Sequence, residues 1–233
     1  MSQILGVMID VDGTLVDSND AHATAWVEAL AQHGYDVPFE KVRRAIGMGG
    51  DNLLPAVVSL DKNSPDGQRI SKTRDEIFER HYLPKLTPFP KVRELVQRLQ
   101  AAGLKLVIAS SSSTEQLDAL LRIARVDDLI ETHVSSNEAK NSKPDPDIIQ
   151  VALNKLGLPA DQAVMLGDTP YDISSASKAG SRTIALRCGG WDTADLKDAV
   201  AVYDSPADLL AHFDESPLAV SQGARQARLS ART

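Results

Sequence analysis

Residues 4–15 read Ile-Leu-Gly-Val-Met-Ile-Asp-Val-Asp-Gly-Thr-Leu. The apolar run over residues 4–9, followed at once by acidic residues and glycine, is typical of a strand buried on both faces of a parallel sheet. Similar runs recur further along the chain, separated by helical spacings of apolar residues, at 106–109, 164–166 and 183–186. Strands that alternate with helices predict an α/β fold with a Rossmann-like, doubly wound parallel sheet as its core.

The segment that follows the first strand differs from the rest, because it has helical spacings and no convincing strand. We interpret residues 17–86 as a helical cap domain, inserted into a core formed by residues 1–16 and 87–213. An insertion at this point lies over the C-terminal strand ends, where open α/β sheets bind their ligands. Pro90 is predicted to begin the next core helix. Residues 214–233 lack periodicity and are predicted to form a flexible tail.

Composition excludes several classes of function. The chain of 233 residues has 25 Lys and Arg against 32 Asp and Glu, a net charge of −7, which argues against binding to nucleic acid or to an anionic membrane. An anionic substrate stays possible, because a bound metal ion can reverse the local charge. The single cysteine, Cys188, and the lack of any apolar stretch near the ~18 residues of a membrane span predict a cytoplasmic protein.

The strongest chemical signal is the pair Asp10 and Asp12, directly after the first strand. Two carboxylates at this spacing suit a nucleophile with an acid–base partner, or a metal site. An Asp-Gly turn that merely closes the strand has the same sequence pattern. A calcium loop does not fit, because its sixth and twelfth positions, which need Gly and Glu, are Leu15 and Ala21.

Four further candidate residues follow other strands or lie in a loop. Asp168 and Asp172 come after the strand at 164–166, Ser110 ends the strand at 106–109, and Lys143 lies in a proline-rich loop. Each also has a structural explanation: a helix cap by Asp168 or Thr169, a helix N-terminus after Ser110, and an exposed loop lysine.

Taken together, these residues supply what phosphoryl transfer from a monoester needs, because parallel strands bring their C-terminal ends to one edge. Clustered carboxylates bind Mg²⁺, while the metal ion and Lys143 neutralise phosphate oxygens. Ser110 would donate a hydrogen bond to the phosphoryl group. An aspartate carboxylate can attack phosphorus and form an aspartyl phosphate.

The four motifs, DxDGT, a strand ending in Ser, a Lys and GDxxxD, resemble those of the haloacid dehalogenase-like hydrolase superfamily over about residues 4–210. Dehalogenases of this superfamily lack the second Asp of the first motif, so Asp12 implies the phosphatase branch. The resemblance implies that Asp10 is the nucleophile and Asp12 the general acid and base. It also implies that Ser110 and Lys143 hold the transferring phosphoryl group.

The same resemblance implies a Mg²⁺ site and a set of substrate contacts. The expected metal ligands are Asp10, Asp12 through its backbone carbonyl, Asp168 and Asp172. An alternative role for Asp172 is to support Lys143. Asp17 and His22 match positions near the cap hinge. The expected substrate-binding residues are Gly13, Thr14, His22, Gly47, Gly50 and Ser111.

Cap residues 47–53 resemble the GxGxDxL loop of bacterial phosphoglycolate phosphatases. β-Phosphoglucomutases have an Arg where this chain has Gly50, whereas Ala-Ser-Ser-Ser at 109–112 resembles the second motif of sugar-phosphate enzymes. The predicted substrate is therefore a small phosphorylated metabolite, phosphoglycolate or a sugar phosphate. A β-phosphoglucomutase-like phosphosugar mutase is the alternative enzyme, and a signalling receiver domain the alternative of another class. We expect a monomer or a weak homodimer.

Overall fold

The computed structural model describes residues 2–219. Six strands form one sheet: β1 (Gly6–Ile9), β2 (Lys105–Ala109), β3 (His133–Val134), β4 (Ala163–Gly167), β5 (Arg182–Leu186) and β6 (Ala201–Tyr203). All neighbouring strands are parallel, in the order β3-β2-β1-β4-β5-β6. The order reverses direction at β1, so the first acidic motif leaves the sheet at its topological switch point. The predicted α/β, doubly wound core is confirmed.

Both faces of the sheet are covered by helices, which explains why its strands consist mostly of apolar residues. The core helices are α5 (Val92–Ala101), α6 (Thr114–Ala124), α7 (Asp147–Leu156), α8 (Pro170–Lys178) and α9 (Pro206–Ala211). Along β1, Val7 and Ile9 pack with α5 and α6 on one face. Met8 points to the other face and packs with residues of α7 and α8.

Two strands and one helix start differ from the sequence-based predictions. Strands β3 and β6 span only 2 and 3 residues, too few for a periodic signal. Pro90 lies outside α5, which begins at Val92. Lys91, with a φ of 67°, turns the chain between them and occupies the N-cap position.

Residues 19–85 form the cap. Its helices are α1 (Asn19–Gln32), α2 (Phe39–Arg43), α3 (Gly50–Val58) and α4 (Pro65–Ile77), followed by a π-helical turn (Phe78–Tyr82) and a 3₁₀ turn (Leu83–Lys85). The cap has its own apolar core, which includes Trp26, Leu54, Ile70 and Phe78. Its two connections to the core run side by side, since the Asp17 amide donates to the Thr87 carbonyl at 3.1 Å.

The predicted tail boundary at Asp214 is too early. Leu218 is 1% exposed and packs in the main core, and Asp214 forms an ion pair with Arg98. This short segment lacks periodicity because a turn and one buried leucine are enough to attach it. The rest of the predicted tail, residues 220–233, lies outside the described residues. Within residues 2–219, no helix combines the length and apolar character that crossing a membrane requires.

Candidate active site

Asp10 lies where β1 ends, in the middle of the sheet edge. Its amide still donates to the Leu166 carbonyl of β4, at 2.9 Å, and the chain then turns away from the sheet. The carbonyl of Val11 accepts hydrogen bonds from the next turn, and Gly13 has a φ of 74°. The Asp-Gly turn and the functional interpretation are therefore both compatible with the structure, because the turn is what presents the carboxylates.

Lys143 is buried against two of the predicted carboxylates. Its ammonium lies 2.6 Å from Asp10 Oδ1 and 2.7 Å from Asp172 Oδ1, and the residue is 1% exposed. Burial alone would lower the pKa of this ammonium, but the charges of Asp10 and Asp172 outweigh it and raise the pKa well above its ordinary value. The interpretation of Lys143 as an exposed loop lysine is wrong.

Asp172 has a structural role and a role at the site. Its Oδ2 accepts hydrogen bonds from the amide and hydroxyl of Thr169, at 3.0 and 2.6 Å, while the Thr169 hydroxyl accepts from the Asp172 amide. This capping box starts α8, with Pro170 in its first turn. The other carboxylate oxygen holds Lys143, so the protein already uses both oxygens. Of its two predicted roles, the geometry favours support of Lys143.

Asp168 is enclosed by groups that fix its carboxylate. Thr14 Oγ1 donates to Oδ1 at 3.0 Å, and Asn19 Nδ2 donates to Oδ2 at 2.8 Å. A Cβ atom on Gly13 or on Gly189 would overlap this carboxylate, so both positions need glycine for the backbone to approach. In this structure the Thr14 hydroxyl binds Asp168 and the Gly13 backbone packs closely against it, whereas both residues were expected to contact substrate. Sequence reasoning missed Asn19, which resembles any polar residue at a helix start.

Three buried carboxylates fit a divalent cation. Oxygen atoms of Asp10, Asp168 and Asp172 lie within 4.8 Å of one another. Lys143 forms ion pairs with Asp10 and Asp172, so the three carboxylates in their ionised forms would have two more negative charges than Lys143 balances. Burial, followed by the repulsion of neighbouring carboxylates, raises the pKa of Asp10 to about 7 and that of Asp168 well above its ordinary value. A hard cation with oxygen ligands, such as Mg²⁺, would relieve this repulsion.

The Asp12 carboxylate is directed away from this cluster and toward the cap. It accepts hydrogen bonds from Ser18 Oγ at 2.6 Å, His22 Nε2 at 2.7 Å and Ser112 Oγ at 2.9 Å. Burial would raise the pKa of Asp12, but the His22 interaction and the two hydroxyl groups together hold it well below its ordinary value. Asp12 is therefore ionised in this arrangement. A metal contact from Asp12 would have to come from its backbone carbonyl, as the resemblance implies.

His22 connects Asp12 to the cap. Arg74 donates to His22 Nδ1 at 2.7 Å, so the proton of the neutral ring is on Nε2, which donates to Asp12. The ring stacks on Phe78 at 4.0 Å, and burial together with the Arg74 charge lowers the pKa of His22. His22 lines the cleft. In this structure it forms a direct hydrogen bond with Asp12, the predicted general acid and base.

The four serines after β2 have different environments. Ser110 is 1% exposed, and its hydroxyl accepts from the Ser112 amide at 3.1 Å. Within residues 2–219, the Ser111 hydroxyl has no hydrogen-bond partner, and this residue lines the cleft. Ser113 caps α6, accepting from the Gln116 amide at 3.3 Å. Ser113 and Gln116 have the spacing of a capping box, but the Gln116 side chain forms its hydrogen bonds with Arg74 and Asp75 of the cap instead.

A cleft of about 140 Å³ lies between the cap and Asp10. Pockets for drug-sized ligands are roughly 300–1,000 Å³, so this cleft suits a much smaller molecule. Gly47 and Gly50 line it, as the interpretation of the cap loop requires. Other cap residues also line the cleft, and the sequence did not predict them because their pattern is that of an ordinary helix or loop surface. They are Trp26, Lys62, Ser71, Arg74 and Asp75.

Comparison with known proteins agrees with this geometry. The family model described as haloacid dehalogenase-like hydrolase matches residues 7–186, which include all four motifs. The chain belongs to this family. A phosphoglycolate phosphatase from Yersinia pestis is 31% identical over 215 residues, covering 90% of each chain. The prediction of a phosphoric monoester hydrolase is confirmed.

Two further relatives of this haloacid dehalogenase-like hydrolase extend the comparison. Pyrophosphatase PpaX from Bacillus velezensis is 25% identical over 210 residues, 89% of this chain and 95% of that protein. The crystal structure of a hydrolase from Pseudomonas syringae is 30% identical and superposes with a TM-score of 0.84, covering 90% of this chain and 98% of the other. The Pseudomonas syringae hydrolase therefore shares this fold over almost its whole length.

Proposed function

We propose that this hydrolase is a Mg²⁺-dependent phosphatase of a small metabolite and works through an aspartyl phosphate. The observation that carries the proposal is the position of Asp10. Its carboxylate lines a small cleft, is paired with the buried Lys143 ammonium, and lies two residues before an ionised Asp12. A screen that measures phosphate release from about 100 phosphorylated metabolites, chosen to be small enough for the cleft, tests the proposal directly.

The reaction divides into two steps and begins with Asp12 protonated, one proton from solvent more than in the arrangement described above; the two steps together return every group to that protonated starting state. An Asp10 oxygen attacks phosphorus, the bond to the ester oxygen breaks, and the leaving alkoxide takes a proton from Asp12. Water then attacks the aspartyl phosphate and gives a proton to Asp12, which releases phosphate and restores Asp10. Lys143 neutralises phosphoryl oxygens in both steps. Mg²⁺, held by Asp10, Asp168 and the Asp12 carbonyl, would supply further charge neutralisation.

The hydrogen bonds around Asp12 fit the interval between those two steps. After the alkoxide has left, Asp12 must be a carboxylate in order to take the proton of water. Its three donors, Ser18, His22 and Ser112, stabilise that ionised form. Two of the donors belong to the entry into the cap, so a change in cap position alters the environment of Asp12.

Asp12→Ala is expected to slow the first step much more for alkyl phosphates than for p-nitrophenyl phosphate. An alkoxide needs the proton that Asp12 supplies, whereas nitrophenolate leaves without one. We expect a difference of at least about 10²-fold between the two substrate types. Single-turnover kinetics are needed, because the second step slows for both. Equal slowing of phosphoryl transfer for both types would remove Asp12 from the role of acid.

The cap wall of the cleft supports a substrate with a second anionic group. Lys62 and Arg74 both line the cleft. Arg74 is partly neutralised by Asp75, at 2.7 Å. Within residues 2–219, no carboxylate lies within ion-pair distance of the Lys62 ammonium. Two relatives act, by name, on phosphoglycolate and on pyrophosphate. Both compounds are small and carry a second anion beside the phosphoryl group, and we propose phosphoglycolate first.

Lys62→Met is expected to raise KM about tenfold for phosphoglycolate, or ~1.4 kcal/mol. The change removes the charge and keeps most of the apolar stem. The KM for glycerol 2-phosphate, which lacks a second anionic group, should change less than about twofold. Lys72→Met is the matched control, because Lys72 is exposed on α4 and faces Glu76. A uniform rise of KM for both substrates would contradict recognition of a second anion.

Gly50 favours hydrolysis over the mutase alternative, because it offers the cleft no side chain to grip a sugar bisphosphate. A Cβ atom at Gly50 would lie 3.4 Å from the Trp26 ring and 3.7 Å from the Lys62 stem. Analysis of products from β-glucose 1-phosphate separates phosphate release from isomerisation.

We also propose that the protein is a monomer or a weak homodimer and that it works in a reducing, cytoplasmic setting.

A further inference from the structure

The cap touches the core at a second place besides the cleft wall. Asn52, in the first turn of α3, donates from Nδ2 to the carbonyls of Ser142 and Lys143, at 3.1 Å each. Its neighbour Asp51 accepts from the Ser142 amide through Oδ2 at 3.0 Å. Two consecutive cap residues therefore hold the backbone of two consecutive core residues, one of which carries the phosphoryl-binding ammonium.

The approach of the two segments is unusually close. A Cβ atom on Gly49 would overlap the Ser142 side chain, so only glycine lets the cap come this near. Ser142 is buried, at 7% exposure. The contact is therefore buried on the core side and partly buried on the cap side, and breaking its hydrogen bonds would leave the Ser142 backbone poorly solvated.

The loop that carries Lys143 depends on such contacts. Between β3 and α7, residues 135–146 contain no helix or strand. From the core side, α8 holds the later part of this loop, since Ser175 donates to the Asp145 carbonyl at 2.6 Å and Lys178 to the Pro144 carbonyl at 2.8 Å. The Asp145 amide donates to the Ser142 carbonyl at 3.1 Å, and the remaining hydrogen bonds to the backbone of Ser142 and Lys143 described here come from the cap. Opening the cap would release that part of the loop.

We propose that Asp51 and Asn52 are positioning residues, which couple closure of the cap to placement of the Lys143 ammonium at the phosphoryl group. This inference rests on the proposed phosphatase function. Closure then does two things: it completes the cleft, and it fixes the peptide from which the lysine side chain extends toward Asp10. With the cap open, Asp10 and Asp172 still attract the ammonium, but its backbone is no longer fixed.

Asn52→Asp tests this coupling with an isosteric change. The new carboxylate faces two carbonyl oxygens, donates nothing, and should push the loop away. We expect kcat to fall at least about tenfold, or ~1.4 kcal/mol, with KM changed less than about threefold. The fall should appear with acetyl phosphate as well as with the best metabolite, because Lys143 serves both. Asn63→Asp is the matched control, an exposed cap asparagine changed in the same way.

Hydrogen exchange gives a readout that does not depend on turnover. The Ser142 amide donates to Asp51, so Asp51→Ala and Asn52→Asp should both speed exchange in residues 141–146 and leave β4 unchanged. Asp51→Asn keeps an acceptor oxygen and should retain protection and most of the activity. That rescue separates a specific contact from a general loss of structure, which melting temperatures check for every variant.

The possible outcomes are distinct. Loss confined to the metabolite, with acetyl phosphate spared, would mean that Asn52 only shapes the cleft, and the coupling would be refuted. Unchanged kinetics or unchanged exchange at residues 141–146 would refute it as well. A wild-type protein that releases phosphate from no substrate would instead overturn the proposed function, and the coupling with it.

Discussion

Asp10→Asn is expected to lower turnover by at least about 10³-fold, or ~4 kcal/mol of activation free energy, while the protein stays folded. The amide keeps the shape of the carboxylate but lacks the charge that attack on phosphorus needs. The loss should apply to every substrate, including p-nitrophenyl phosphate, because the nucleophile is common to all of them. Phosphate release measured alongside circular dichroism checks the prediction.

The fold of the Asp10→Asn variant should survive because the change relieves repulsion. Asp10 lies beside Asp168 and Asp172, and Lys143 keeps its ion pair with Asp172, at 2.7 Å, when the Asp10 charge is removed. Asp36→Asn, on the exposed surface of the cap, is the matched control and should be fully active. Appreciable turnover in a folded Asp10→Asn protein would rule out the covalent mechanism.

The sequence was most informative where chemistry and local structure share one motif. Asp10, Asp168 and Asp172 follow strands β1 and β4, and parallel strands bring these ends together without further information. The helix-cap interpretation of Thr169 was confirmed as well, because the capping box and the bond to Lys143 use different oxygens of Asp172. In such motifs, the structural and functional interpretations are compatible.

The sequence was least informative where a residue acts through a distant partner. Asn19 and Arg74 resemble an ordinary helix start and helix surface, yet they contact Asp168 and His22 across 149 and 52 positions of sequence. Thr14 belongs to a recognised motif, but only the structure shows that its hydroxyl is directed to Asp168. Such roles depend on which distant elements pack together, within the cap, within the core or between them, and no local pattern encodes this.

Removal of divalent cations is expected to abolish activity, and Mg²⁺ to restore it. Within the described residues 2–219, the Lys143 ammonium is the cation paired with the cluster of Asp10, Asp168 and Asp172, so the site has two excess negative charges when all three carboxylates are ionised. That excess opposes the approach of an anionic phosphate until a cation offsets it. Ca²⁺ should bind and inhibit, because its larger and looser coordination shell disturbs in-line attack.

The same charge excess predicts an effect on stability that does not require turnover. Mg²⁺ at about 100 times its Kd should stabilise the folded protein by ~2.7 kcal/mol, and should raise Tm by roughly 5–10 °C for a chain of this size. Asp168→Asn should lose both the Tm shift and the activity, because it removes one ligand charge while Thr14 still has an oxygen to bond. The Asp36→Asn control should keep the full Tm shift. Activity that survives complete chelation, or a Tm that Mg²⁺ does not change, would contradict the metal site. Protonation would then neutralise the carboxylate cluster, in agreement with the pKa values of Asp10 and Asp168, which burial raises.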